Sequence, residues 1–375
     1  MKILINASTL KGTGVVQVAT SFIRECVTIP EHEYIVFVSP SVKRNLAGMT
    51  FPVNMKIYEF GKNSLYSLKG KRDICAMKIV AKTEKPDVVF SVFGPSLWTP
   101  KAPHLMGYAY AHYIYHDSPL FKLLSIKEKL IVNLKKFVHI YQLKRNGKFF
   151  VCETDDVAKR LSAQYKIPKE NVFCAYNTAS SVFLDYKQFS VNRNDNEFRF
   201  VTLCSPYKHK NMSILNDVIP LLKRKKLSKQ VKFYTTFSKE AYEKTFNPNV
   251  RDFIVNLGPQ LVADCPKIVD NCDALFLPTL LECYSASYPE AMCLGKPIVT
   301  SQLSFASTVC NNAALYFDPI NAQDIADTIE KLVEDENLYK ELQQRGLERL
   351  EEFGTARDRA YNYLNICKEI IKRNH

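Results

Sequence analysis

Glu282 and Glu290 are the residues whose types and spacing most clearly suggest chemistry. Glu282 follows the apolar run Leu275–Leu277, so it belongs in the loop after a buried strand. Glu290 follows Pro289, in the first turn of an expected helix, where proline is tolerated and an acid suits the dipole. Ser285, Ala286 and Ser287 between them would offer free backbone amides to a diphosphate. A carboxylate beside a diphosphate is repelled unless it has another task. Accepting hydrogen bonds from hydroxyls is such a task, and it suits Glu282 to a donor sugar and Glu290 to a ribose. Spacing alone fits better a solvated loop acid, Glu282, followed by a helix-dipole acid, Glu290.

Lys210 is the matching cation. It lies in Phe200-Val-Thr-Leu-Cys-Ser-Pro-Tyr-Lys-His-Lys-Asn-Met212, after a strand and before a helix, where an ammonium can reach a bound phosphate. Gly12-Thr13-Gly14 stands between the first strand and the first helix. It lacks the third glycine and the downstream acid of a dinucleotide fingerprint, which excludes a Rossmann dehydrogenase.

The stretch Glu282–Glu290 resembles the E-x7-E signature of retaining GT-B glycosyltransferases, specifically the family-4 group. Ala291-Met-Cys-Leu-Gly-Lys-Pro-Ile-Val-Thr300 and Ala313-Ala-Leu-Tyr-Phe-Asp-Pro319 resemble runs of the same family. The likeness covers most of the C-terminal half and, more weakly, the N-terminal half. It implies that Glu290 holds the nucleotide ribose and that Glu282 contacts the transferred sugar beside the reacting centre. Lys210 would neutralise the diphosphate, and the turn at Gly14 would let backbone approach the donor phosphate or the acceptor. A cleft histidine in that family follows an N-terminal strand, which matches His112 and, as a rival, His116. Catalytic roles are thus expected of Glu282 and His112, and donor binding of Lys210, Ser285, Ala286, Ser287, Glu290 and Gly14. Lys208, His116 and Tyr284 are secondary candidates.

Two departures stand out. The family's Gly-Phe-Gly after the first glutamate is here Cys283-Tyr284-Ser285, a loop less free to adopt positive φ. The arginine that would end the strand before Lys210 is replaced by Cys204 or Ser205.

These residues need a scaffold of alternating strands and helices. Ile3–Ile5, Tyr34–Val38, Val88–Phe90, Leu105–Ala109 and Phe149–Val151 read as buried strands. Helix-period stretches lie near Val15–Cys26, Lys71–Lys82, Phe121–Lys144 and Asp155–Tyr165. The second half repeats the pattern. Strands are expected at Phe198–Leu203, Val231–Tyr234, Phe253–Val255, Leu275–Leu277, Ile298–Thr300 and Ala314–Phe317. Helices are expected near Met212–Lys225, Glu240–Phe246, Ala263–Asn271, Ser287–Leu294 and Ala322–Glu334. Such alternation predicts βαβ units and parallel sheets.

The expected architecture is α/β and GT-B-like, with two doubly wound Rossmann-like domains facing a central cleft. An acceptor-side domain would span 1–178, a linker 179–197 and a nucleotide-sugar domain 198–354. A terminal helix in 355–375 would pack back across the junction.

Composition bounds the partners. A formal charge of +13 over 375 residues favours anionic ligands. Eleven scattered cysteines without a C-x-x-C pair argue against a disulfide framework or zinc site. No apolar run approaches the roughly 20 residues of a membrane span, so a cytoplasmic protein is expected. Phe121–Arg145 forms a basic amphipathic pattern with an apolar stripe through Leu123, Ile126, Leu130, Leu134, Phe137 and Tyr141. It fits either a core-packing helix or a peripheral contact with an anionic membrane.

The expected activity is metal-independent, retaining transfer of a sugar from a UDP- or GDP-sugar to a hydroxyl of a glycan or lipid-linked acceptor, in surface-polysaccharide synthesis. No cofactor beyond the donor is expected. A sugar-nucleotide epimerase on the same architecture is the rival enzyme. A basic nucleic-acid-binding protein is the rival of another class, although no recognition helix, zinc module or aromatic-basic RNA motif supports it and no nucleic-acid partner is expected.

Overall fold

The computed structural model describes residues 1–61, 67–188 and 196–374. Most of the polar run 192–197 anticipated at the end of the linker therefore lies outside the described residues. The chain forms two compact units. The first comprises 1–114, 125–177 and 355–375, and the second 115–124 and 178–354.

The first unit is built on seven parallel strands: β1 (Lys2–Ala7), β2 (Glu33–Val38), β3 (Met55–Glu59), β4 (Val88–Ser91), β5 (His104–Tyr108), β6 (Phe149–Cys152) and β7 (Val172–Cys174). Their order is β3-β2-β1-β4-β5-β6-β7. The strand order reverses between β1 and β4, the switch point beyond whose carboxyl ends such sheets bind ligands. The central strands carry apolar runs with no alternation because both sheet faces are covered; Ile3, Leu4, Ile5, Val36, Phe37 and Phe90 are fully buried. Part of the cover is the C-terminal helix Ala356–Lys372. Its Ala360, Tyr363, Leu364, Cys367 and Ile370 join the core of β1, β2 and β4. The Tyr363 ring lies 5.3 Å from Phe22 and 4.9 Å from Phe90. The buried Arg359 bonds to Asn177 and, at 2.8 Å, to Ser21.

The second unit contains β8 (Glu197–Thr202), β9 (Gln230–Thr235), β10 (Ile254–Asn256), β11 (Ala274–Leu277), β12 (Ile298–Ser301) and β13 (Ala314–Phe317). All are parallel, in the order β10-β9-β8-β11-β12-β13. The switch point here lies between β8 and β11. Two parallel, doubly wound α/β sheets in one chain are the GT-B-like fold anticipated above.

Several elements differ from the reading of the sequence. β3 and β7 are edge strands: Lys56 interrupts β3, and β7 is only three residues long and half-buried, so neither shows the longer buried run that marks the central strands. The expected helix Met212–Lys225 opens as a 3-10 turn after Asn211, held at φ +55, and becomes α-helical only over Leu215–Leu222. A helix over Glu336–Glu351 went unread because its buried side is narrow, with Leu342 and Gly346 as its buried residues.

The expected helix Phe121–Lys144 is interrupted. A short turn, Leu120–Leu123, ends at Leu124, and a new helix runs from Ile126 to Asn146. Ser125 caps it, accepting from the Glu128 amide while the Glu128 carboxylate accepts from the Ser125 amide at 2.7 Å. That capping box stops the two pieces from merging. Within this helix only Leu143 and Asn146 are buried, and Ile126, Leu130, Leu134, Phe137 and Tyr141 are exposed. The stripe does not pack into the core of its own chain.

Candidate active site

In the second unit, the loops after β8 and β11 meet at the carboxyl end of the sheet. These strands are neighbours, so the loops leave side by side. The amide of Leu280 donates to the carbonyl of His209 at 2.7 Å, and the Thr279 hydroxyl lies 3.1 Å from the same oxygen. These bonds fix the 3-10 turn Lys208–Lys210 against the loop that carries Glu282. Lys210 donates to the Glu282 carboxylate, and Thr279 Oγ1 lies 3.3 Å from Glu282 Oε1. Lys210 and Glu282 thus form one largely covered ion pair. Burial by itself lowers the Lys210 pKa, but the Glu282 carboxylate outweighs it and holds the ammonium above its usual range.

Cys204, which with Ser205 stands where the resemblance expects an arginine, adds no charge. Burial pushes its thiol up to about 11, against the opposing influence of Lys210. Outside the pair, the Tyr207 and His209 rings stack at 5.6 Å. Exposed Lys208 shares that turn.

Glu290 sits in the first turn of the helix Ser287–Cys293, with its amide donating to Ala286 O at 3.0 Å. Burial alone pushes its carboxyl up to about 8. The helix is seated by Tyr288, whose hydroxyl meets Thr300 Oγ1 at 2.9 Å, and by the helix Glu336–Glu351 behind it. There Gly346 faces Met292, where an added Cβ would lie 3.6 Å from Met292 Cγ, and Gln343 donates to Gly295 O at 2.7 Å. The amides of Ser285, Ala286 and Ser287 have no acceptor among the described residues, and Tyr288 N is the first to turn back, onto Ser285 O at 3.2 Å. Tyr284 is half-buried in the same loop.

Glu282, Glu290, Lys210, Lys208, Tyr284 and Ser285–Ser287 therefore lie in one unit, on the two loops and one helix start at its carboxyl edge. His116 belongs to this unit too. It is exposed, and two residues on, the Ser118 hydroxyl donates to Leu280 O at 2.6 Å, which ties the segment to the Glu282 loop. Gly14 and His112 lie in the first unit. Gly14 is the second residue of the helix Thr13–Val27, and a Cβ there would meet nothing within 4 Å, so packing does not demand glycine. His112 is half-buried in the 3-10 turn Ala111–Tyr113 after β5.

The first unit has its own carboxyl-edge pocket, of about 380 Å³, lined by Ser8, Lys11, Gly94, Tyr110 and His139 among others. Tyr110 stacks on Tyr113 at 5.1 Å, and the Tyr113 hydroxyl bonds His139 Nδ1 at 2.9 Å. Sequence reasoning missed Thr279, Ser118, Tyr110 and His139. Each acts through a partner distant in sequence, and no local pattern marks them.

The fold and this carboxyl-edge site define the class: a GT-B-like α/β chain. Residues 185–349 match the family model for glycosyl transferases group 1. A curated relative is the N,N'-diacetylbacillosaminyl-diphospho-undecaprenol alpha-1,3-N-acetylgalactosaminyltransferase of Campylobacter jejuni serotype O:2, 32% identical over 116 residues. The match spans 29% of this chain and only 30% of that relative. Among solved structures, a glycosyltransferase from Rickettsia africae is 16% identical with a TM-score of 0.73, covering 99% of this chain and 98% of its own. Anabaena Alr3699/HepE, solved with UDP and glucose, is 14% identical with a TM-score of 0.67, covering 98% and 100%. At these identities the structural likeness establishes the fold.

Proposed function

We propose that the chain is a nucleotide-sugar-dependent glycosyltransferase acting with retention of anomeric configuration. The observation that carries this reading is the Lys210–Glu282 pair, clamped by Thr279 at the switch point of the second unit, with Glu290 at the adjoining helix start. The family match over 185–349 supports it.

In the proposed reaction the diphosphate of the donor takes up Lys210 and the unpaired amides of Ser285–Ser287. Glu282, freed from sole pairing with Lys210, accepts from sugar hydroxyls, and Glu290 takes the ribose. The bond from the anomeric carbon to the phosphate oxygen breaks, and its electron pair leaves with the nucleoside diphosphate. An acceptor hydroxyl attacks the same face, and its proton passes to the departing phosphate oxygen. Fixed donors aimed at that oxygen are the main source of rate enhancement in such a step. With these groups carrying the charge, the reaction is proposed to run without a divalent metal.

UDP-sugars are the first donors to test, because the Anabaena structure holds UDP and glucose. A lipid-linked acceptor is suggested by the name of the Campylobacter relative. The first unit is proposed to supply the acceptor side through its 380 Å³ pocket, with His112 and Gly14 at the same sheet edge. The exposed stripe of Ile126–Asn146 is proposed to rest on an anionic bilayer, since that helix carries six Lys or Arg against the single acid Glu128. Among the described residues no helix is long and apolar enough to cross a membrane.

The test measures nucleoside diphosphate release from UDP- and GDP-sugars with a lipid-linked acceptor, with and without chelator. Transfer by the wild type, its persistence in chelator, and its loss in a folded Glu282→Ala variant are expected. Undiminished turnover by that variant ends the assignment. Release of epimerised donor without acceptor would instead select the epimerase.

A further inference from the structure

The first unit also has a cavity of about 900 Å³, not at the carboxyl edge but at the opposite, amino end of the sheet. Its wall includes Asp87 before β4, His104 at the start of β5, and Gly147-Lys148 before β6. Five cations line it: Lys101, Lys144, Arg145, Lys148 and Lys166. Among the described residues no carboxylate pairs with any of the five. The single lining acid, Asp87, accepts from the Lys2 amide at 2.6 Å. His104 is fully engaged, with Asn146 O at 2.6 Å and Ser91 Oγ at 2.9 Å, and burial lowers its pKa to about 4, so it adds no charge at neutral pH.

Cations at helix C-termini are commonly explained by the dipole alone. Three helices, Ile126–Asn146, Asp155–Tyr165 and Ala356–Lys372, end here, the last through Ile371 and Asn374. Each terminus contributes roughly half a negative charge. With Asp87 that offsets about half of the five positive charges and leaves two to three, more than capping requires.

A second feature adjoins the first. An apolar groove of about 740 Å³, lined by Phe137, Ile140 and Tyr141, shares Lys144, Arg145 and Tyr165 with the basic cavity. The Tyr165 ring is fixed by its hydroxyl bond to Tyr113 O at 2.7 Å, and the Lys136 and Lys144 ammonium groups each lie 5.9 Å from it.

We infer that this amino-end cavity is a phosphate-binding site, separate from the carboxyl-edge machinery, that takes a phosphate group through charge-assisted bonds from Arg145 and the surrounding lysines. The phosphate is either that of a lipid headgroup whose tail lies along the adjoining groove or that of a free phosphate compound.

The test uses the full chain and a Lys101→Glu/Lys148→Glu variant, whose changes lie outside the exposed helix. A Lys239→Glu/Lys331→Glu variant in the other unit matches the change in net charge. Calorimetry with pyrophosphate and co-sedimentation with vesicles of phosphatidylcholine, with or without phosphatidylglycerol, form the two arms. Pyrophosphate binding that falls at least tenfold in the cavity variant, but not in the control, supports the site with a free compound as its source. No pyrophosphate binding, with anionic-vesicle binding reduced tenfold in the cavity variant alone, supports it with a headgroup as its source. Equal losses in both variants, or no loss in either arm, overturn it. Arg145→Ala, which removes a charge without reversing one, must shift the responsive arm in the same direction, with an unchanged thermal midpoint for each variant.

Discussion

At the scale of single residues, Glu290 combines a proposed ribose-binding role with a stability cost. Its carboxyl titrates near 4.5 in the unfolded chain and is pushed up to about 8 by burial in the folded one. Between those values the folded state holds a proton that the unfolded state has lost, so stability falls as pH rises through this window and levels off above it. At about 1.4 kcal/mol per pKa unit the penalty amounts to a few kcal/mol. Glu290→Gln is therefore expected to unfold at a higher temperature than wild type at pH 9 and at the same temperature near pH 4. If Glu290 holds the ribose, the same variant binds the nucleotide at least tenfold more weakly in a direct titration. For the ion pair, Lys210→Ala leaves Glu282 covered and unpaired, a loss worth roughly 3–5 kcal/mol. Lys210→Met combined with Glu282→Gln is expected to recover most of that stability in a denaturant titration. Both variants should transfer sugar at least 100-fold more slowly, the size of effect seen when one donor to a developing oxyanion is removed. Types and spacing pointed to these acids and the lysine, but Thr279, which bonds both loops, is an ordinary threonine until β8 and β11 are known to be neighbours.

At the scale of elements, legibility followed burial. Strands inside the sheets announce themselves as buried apolar runs, whereas at the edges β3 is broken by Lys56 and β7 is too short to stand out. Helix Glu336–Glu351 was invisible because it buries little, yet Gly346 seats it against Met292 beneath the Glu290 helix. Gly346→Leu is expected to push these two helices apart and to weaken nucleotide binding, with little effect on the first unit, a difference that hydrogen exchange resolved by segment would display. The helix Ile126–Asn146 was legible as amphipathic, but not as exposed, since the same stripe serves a core or a bilayer. Leu134→Ser with Phe137→Ser removes apolar area without touching charge. It is expected to reduce binding to anionic vesicles at least tenfold and to leave thermal stability unchanged, because neither side chain is buried. Loss of stability instead would mean that the stripe packs against this protein.

At the scale of the whole molecule, the two-sheet architecture was legible from the repeated alternation of strand and helix. The interleaving of the chain between units was less so, because segment 115–124 carries no compositional mark separating it from its flanks. A saturating nucleotide sugar should stabilise the protein by about 2.7 kcal/mol at 100 times its dissociation constant. If only the second unit holds the donor's nucleotide, the gain appears in the unfolding transition of that unit and not in that of the first.

The return of the last helix to the first sheet has a consequence for biosynthesis. Tyr363, Leu364 and Ile370 complete a core begun by Ile3 and Phe22, so a chain still emerging from the ribosome can close its later lobe before its earlier one. Synthesis halted before Ala356 would leave the first sheet with an uncovered apolar face. Quality control by chaperones and proteases would then read this helix as the seal on the first sheet.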